Sequence, residues 1–104
     1  IQTVAEIRDV VAADPGVPTV LAGDFNDRPD SRVHRAMKEF APDAWELGGH
    51  GDGFTIPAGQ PNRRIDYFFL TPSNRFRVLK VEVVDEPVAS DHRPVWAEVQ
   101  LLPE

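Results

Sequence analysis

The chain contains no cysteine. Disulfides are therefore excluded, as are metal sites built on thiolates, and the redox compartment stays open. Positive charge is also scarce. Eleven Lys and Arg stand against 17 Asp and Glu, giving a net charge of −6 and a pI near 4.9. That argues against a broad basic footprint for nucleic acid or an anionic membrane, but not against a phosphate substrate held through a bound cation. No run approaches the roughly 20 apolar residues of a membrane-spanning helix. No stretch reads as a signal peptide, and the cellular compartment is left unassigned. Repeats and low-complexity segments are missing too.

What is present fits one small domain. The chain has 104 residues, 41% hydrophobic and 27% charged, which is the composition of a folded globular protein. It starts at Ile1, inside what reads as a helix, so the expectation is a piece of a longer protein. Ile1, Val4, Ile7 and Val11 form one apolar helical stripe over residues 1–13, ended by Asp14-Pro15-Gly16. Thr19-Val20-Leu21-Ala22 is a short apolar run, expected as a strand covered on both faces. Asp30 or Ser31 can cap a second helix with Val33, Ala36, Met37 and Phe40 on its buried side. Residues 48–62, with four glycines between Gly48 and Gly53, read as a long loop of the kind that carries function.

Three strands follow, over 64–70, 76–84 and 95–102. In the second, Phe76, Val78 and Lys80 are expected on one face and Leu79, Val81 and Val83 on the other. In the last, Val95, Ala97, Val99 and Leu101 share a face. The fold class is α/β: a mixed β-sheet with two helices on one face. Strands 19–22 and 65–70 are apolar on both sides, so a second sheet face needs a cover this chain scarcely has.

Polar residues gather at the strand ends. Asp24 and Asn26 follow the first strand, and Asp91 and His92 precede the last. Gly-Asp-x-Asn alone reads as a turn, because Asp and Asn bond their own main chain and tolerate left-handed backbone. Asp66 is harder to read as decoration. It sits among Ile65, Tyr67, Phe68 and Phe69, where a carboxylate needs a partner. That partner is either Arg63 or Arg64 in an ion pair, or a histidine such as His92 that the acid orients. Elsewhere, His34 reads as an exposed helix residue and His50 as a loop residue. Asp27, Asp30 and Asp52 read as turn or capping residues.

Gly23-Asp24-Phe25-Asn26, Arg64-Ile65-Asp66-Tyr67-Phe68-Phe69 and Ser90-Asp91-His92-Arg93-Pro94-Val95 resemble the last three signature blocks of the endonuclease/exonuclease/phosphatase superfamily, the DNase I-like phosphoesterases. They occur in the family's order, and the resemblance spans about residues 1–102. It implies a four-layer α/β/β/α sandwich of which residues 1–104 are the C-terminal half, with the N-terminal half absent. It further implies a Mg²⁺- or Mn²⁺-dependent phosphodiesterase or phosphatase in the full-length protein, with the fragment weakly active or inactive by itself.

By the same resemblance, Asp24 orients or deprotonates the attacking water and Asn26 donates to the phosphoryl oxygens. Asp91 is a metal ligand, and His92 binds phosphate, held by Asp66. Arg63 and Arg64 either reach a substrate phosphate or form ion pairs, and Arg64 is carried as a substrate-binding candidate. Thr55 matches a threonine that often precedes the Arg-Ile-Asp-Tyr block. The implied partners are a phosphate ester (nucleic acid, phosphoinositide or phospholipid headgroup) and, on the open sheet face, the N-terminal half or a second copy. The alternative class is a non-enzymatic half-domain acting through that face.

Overall fold

A computed structural model describes residues 3–104. The α/β class read from the sequence is the one observed. Helix α1 spans Val4–Ala12. Thr3 caps it through a reciprocal box with Glu6: the Thr3 hydroxyl accepts the Glu6 N–H, and Glu6 reaches back to the Thr3 N–H. Val4 and Ile7 rest on the core, whereas Ile1 of the expected stripe lies outside the described residues. Strand β1 (Thr19–Asp24) follows, then α2 (Arg32–Lys38), capped by the Ser31 hydroxyl on the His34 N–H.

A five-residue helix, α3 (Ala44–Gly48), was not anticipated. Asp43 starts it by accepting the Trp45 N–H. Strands β2 (Asp66–Thr71), β3 (Phe76–Val83) and β4 (Val95–Leu101) complete the chain, with a single 3₁₀ turn at Ser73–Arg75 before β3.

The strands pair as two antiparallel ladders, β1 with β2 and β3 with β4. No parallel pairing occurs among the described residues, so the single mixed sheet expected from helices early and hairpins late resolves into these two ladders. The register of the first sets Asp24 directly across from Asp66. In the second, a register shift between Val78 and Lys80 changes which residues face inward. Phe76, Val78 and Val81 all pack into the same cluster, while Leu79 and Lys80 are exposed. The expected grouping, Lys80 with Phe76 and Val78 and with Val81 opposite, is therefore wrong: an extra residue on one strand turns the chain by one side-chain position.

Two cores flank β2. Tyr67 and Phe69 meet Met37 and Ala41, with Val4, Ile7, Leu21, Phe25, Val33 and Phe40 against them. On the other side, Leu70 meets Ala44 and Val81, with Phe68, Val95, Ala97 and Val99 at the margin. The expected two-sided burial of β1 fails in part. Val20 is 49% exposed and lines an apolar depression with Phe68, Leu70, Ala97 and Val99. This is the sheet face left without a cover.

Candidate active site

β1 ends by sending alternate side chains to opposite fates. The Phe25 N–H donates to the Ile65 carbonyl at 2.9 Å. Its ring turns inward, edge-on to Tyr67 and Phe69 at 5.8 and 5.1 Å between centroids. Asp24 and Asn26, either side of it, stay exposed. The Asn26 N–H donates to Asp24 Oδ1 at 2.7 Å, and Asn26 takes φ 52°, left-handed backbone that asparagine tolerates. The stretch is a turn, and the turn fixes the Asp24 carboxylate.

Asp66 faces Asp24 across the ladder. Its Oδ2 accepts the Thr55 hydroxyl and sits 2.8 Å from His92 Nδ1. A carboxylate can only accept, so Nδ1 carries a proton and donates. The partner of this strand-bound acid is thus the histidine and a threonine, not Arg63 or Arg64. Thr55 is fully buried, and its carbonyl accepts the Arg93 N–H at 2.7 Å while its own N–H donates to the Arg63 carbonyl at 2.8 Å. One residue of the long loop thereby straps the start of β2 to the segment before β4.

The other ring nitrogen of His92, Nε2, lies 3.6 Å from Asp24 Oδ2. His92 is therefore flanked by two carboxylates. The Asp66 hydrogen bond pushes its pKa above the ordinary imidazole value; partial burial works against this, and the Asp66, Asp24 and Asp91 charges add to the rise. Gly23, Asp24, Asp66, Tyr67, Phe68, Ser90, His92, Arg93, Pro94 and Val95 line a depression of about 380 Å³ around this group.

The remaining candidates are placed differently. Asp91 is exposed; its Oδ1 accepts the Ser90 hydroxyl at 3.3 Å and its carbonyl accepts the Ala58 N–H at 2.8 Å. Arg64 stays out of the depression. Its Nη1 donates to Asp43 Oδ2 at 2.8 Å, its guanidinium lies 4.9 Å above the Tyr67 ring, and its side chain is only 6% exposed. Arg93 lines the depression instead, steadied by the Ala58 carbonyl and Asp85. Its only sequence signal was its place beside His92. The expectation for His34 is overturned: it is 1% exposed and joined to Asp43 at 2.8 Å. His50 is exposed and lines a separate concavity with Trp45 and Phe54.

Asp24, Asp66 and His92 offer ligand atoms all within 4.8 Å of one another. Asp66 Oδ2 is already occupied by two donors, and His92 is biased toward its cationic form. Asp24 is 46% exposed and its Oδ2 accepts no hydrogen bond among the described residues, whereas Asp91, the expected metal ligand, is exposed and lies outside this group of three. Carboxylate oxygens open to water suit a hard divalent cation that keeps several waters. In a second group, His34 and Asp43 are buried and paired with each other, while Glu46 is exposed and holds Lys38 at 2.7 Å.

A sequence model of the endonuclease/exonuclease/phosphatase family matches residues 3–92. No curated protein matches the chain. Among solved structures, an endonuclease/exonuclease/phosphatase from Bacteroides vulgatus is 28% identical with a TM-score of 0.74, covering 91% of this chain and 41% of its own. A mannosyl-6-phosphatase from Bacteroides thetaiotaomicron is 26% identical, TM-score 0.73, covering 94% and 43%. A third, from Beutenbergia cavernae, is 30% identical, TM-score 0.65, covering 93% and 30%. The chain therefore spans less than half the length of each.

Proposed function

The chain belongs to the endonuclease/exonuclease/phosphatase family, and from that premise we propose that it is the C-terminal half of a domain that hydrolyses phosphate esters with Mg²⁺ or Mn²⁺. The observation that carries this reading is one histidine set between two carboxylates, Asp66 on Nδ1 and Asp24 facing Nε2. That arrangement suits a cationic phosphate contact beside a carboxylate able to take a proton from water.

Each residue then has a task. Asp24 orients the attacking water and accepts its proton. Asn26, exposed beside it, donates from its amide to the phosphoryl oxygens. His92 Nε2–H binds a phosphoryl oxygen, and Asp66 with Thr55 keeps the ring protonated and oriented. Such preorganised donors are each worth about 3–4 kcal/mol of barrier. Asp91 would hold the cation, with Asp24 offering a second exposed carboxylate, and the cation when bound would neutralise phosphate charge and the leaving oxygen. Arg93 is a better placed phosphate contact than Arg64, because the Arg64 guanidinium is committed to Asp43.

The test is a substrate screen with the full-length protein, spanning sugar phosphates, nucleic acid, phosphoinositides and phospholipid headgroups. Sugar 6-phosphates enter because one neighbour is a mannosyl-6-phosphatase. Hydrolysis that needs a divalent ion and stops on chelation is expected; turnover indifferent to chelator would overturn the proposal. A second reading rests on the open apolar face of Val20, Phe68, Leu70, Ala97 and Val99. The N-terminal half of the domain is its proposed cover, and a second copy is the alternative. Dimerisation of these 104 residues without divalent-ion binding would favour that interaction role. No helix among the described residues is long and apolar enough to cross a membrane.

A further inference from the structure

We propose that His34 is a positioning residue for the loop that carries Asp24 and Asn26, working as a neutral imidazole clamped between the Asp30 backbone and the Asp43 carboxylate. The inference rests on the phosphoesterase reading for its kinetic consequence, but its geometry stands apart from it.

His34 is buried on α2, outside the depression around His92. The Asp30 backbone N–H donates to His34 Nδ1 at 2.9 Å. A nitrogen that accepts carries no proton, so the ring proton sits on Nε2, which donates to Asp43 Oδ2 at 2.8 Å. The same Oδ2 takes Arg64 Nη1 at 2.8 Å, and Asp43 Oδ1 takes the Trp45 N–H at 2.9 Å. The Asp43 carboxylate is thus saturated by an imidazole, a guanidinium and a helix start.

The loop between β1 and α2 has two non-glycine residues in left-handed backbone, Asn26 at φ 52° and Asp30 at φ 65°. Such conformations persist where surrounding contacts over-determine them. Two contacts do so here. His34 holds the Asp30 N–H, and the Tyr67 hydroxyl lies 2.7 Å from the Asp27 carbonyl. Both trace back to the start of β2, since Tyr67 follows Asp66 and Arg64 precedes it. The network therefore ties the Asp24–Asn26 turn to the segment that presents Asp66. His34 thus braces the segments that present Asp24 and Asp66 from outside the depression around His92.

Two substitutions separate its two contacts in the full-length protein. In His34→Asn, the amide oxygen overlies Nδ1 and can still accept the Asp30 N–H. In His34→Gln, the amide nitrogen overlies Nε2 and keeps Asp43 while Asp30 loses its acceptor. A purely structural role makes the two equivalent, because each variant loses one ring contact. Positioning makes them differ. Hydrogen exchange at the Asp30 and Asn26 amides is expected to quicken by about tenfold in His34→Gln and to stay near wild type in His34→Asn. On the phosphoester that the wild type turns over, kcat should fall roughly tenfold to a hundredfold in His34→Gln with KM little changed, and recover in His34→Asn.

Equal loop exchange in the two variants overturns the proposal, as does wild-type kcat in His34→Gln. Wild-type protein inert on every phosphoester refutes the functional reading alone, and the exchange comparison still decides the role of His34. If either variant fails to fold, ¹⁵N spectra of the wild-type ring decide instead. An Nε2–H tautomer supports the clamp, and an Nδ1–H tautomer overturns it.

Discussion

Replacing Asp43 with alanine should unseat more of this protein than any change at the candidate site. The carboxylate is buried and accepts three donors: His34 Nε2–H, Arg64 Nη1–H and the Trp45 N–H. Removing it strands a guanidinium that is 6% exposed and has no other ion-pair partner among the described residues. Breaking a buried ion pair from one side costs about 3–5 kcal/mol, and losing a helix cap about 1 kcal/mol. The losses overlap as the site relaxes, so about 4 kcal/mol is expected in Asp43→Ala. That is a large share of the roughly 5–15 kcal/mol that keeps a typical domain folded.

Replacing the ion pair as a unit, with Asp43→Ala and Arg64→Met together, should recover part of the loss, because no charge is then left unpaired. The exposed Lys38–Glu46 pair is the control, and Lys38→Ala should cost less than about 1 kcal/mol. Denaturant unfolding of the full-length variants provides the comparison. An Asp43→Ala cost no greater than that of Lys38→Ala, or a double variant as unstable as the sum of the singles, would refute the buried-network reasoning.

Two further predictions follow from local geometry. Asp66→Asn should lower the pKa of His92, read by NMR titration of its ring protons, since the Asp66 hydrogen bond is the largest cause of its rise. Because the folded-state value is raised, His92 stabilises the fold fully below the ordinary imidazole value of about 6.5 and loses this as pH climbs through the raised value. That pH dependence should shrink in the variant, and an unmoved titration would count against the pairing. Gly49→Ala should destabilise by about 1–3 kcal/mol, because the added methyl would overlap the Trp45 ring, whereas Gly59→Ala meets nothing and should be tolerated in thermal unfolding.

Local signals made much of the fold legible. The Val4-Ile7-Val11 stripe and the Asp14-Pro15-Gly16 stop mark α1, and the apolar run to Ala22 marks β1. The three polar blocks at strand ends were equally visible, and their resemblance to one family pointed to the residues that meet around His92. What stayed hidden depends on contacts distant in sequence. His34 looks like an ordinary helix-surface histidine until Asp43, nine residues on, and Arg64, 21 residues beyond Asp43, are folded into one network with it. For the same reason the sequence leaves Arg64 open between a substrate phosphate and an ion pair, and only the fold shows it paired with Asp43. The shift at Val78 and Lys80 has no glycine or proline to announce it, and α3 is too short for a periodic signal.

The central claim is that Asp24 and His92 act on a phosphate ester. It is tested most directly by steady-state turnover of full-length Asp24→Ala and His92→Ala in Mg²⁺ or Mn²⁺, on whichever phosphoester the wild type hydrolyses. Both variants should retain their fold and lose activity by about 10²–10³-fold or more. Wild-type turnover in both would contradict the account.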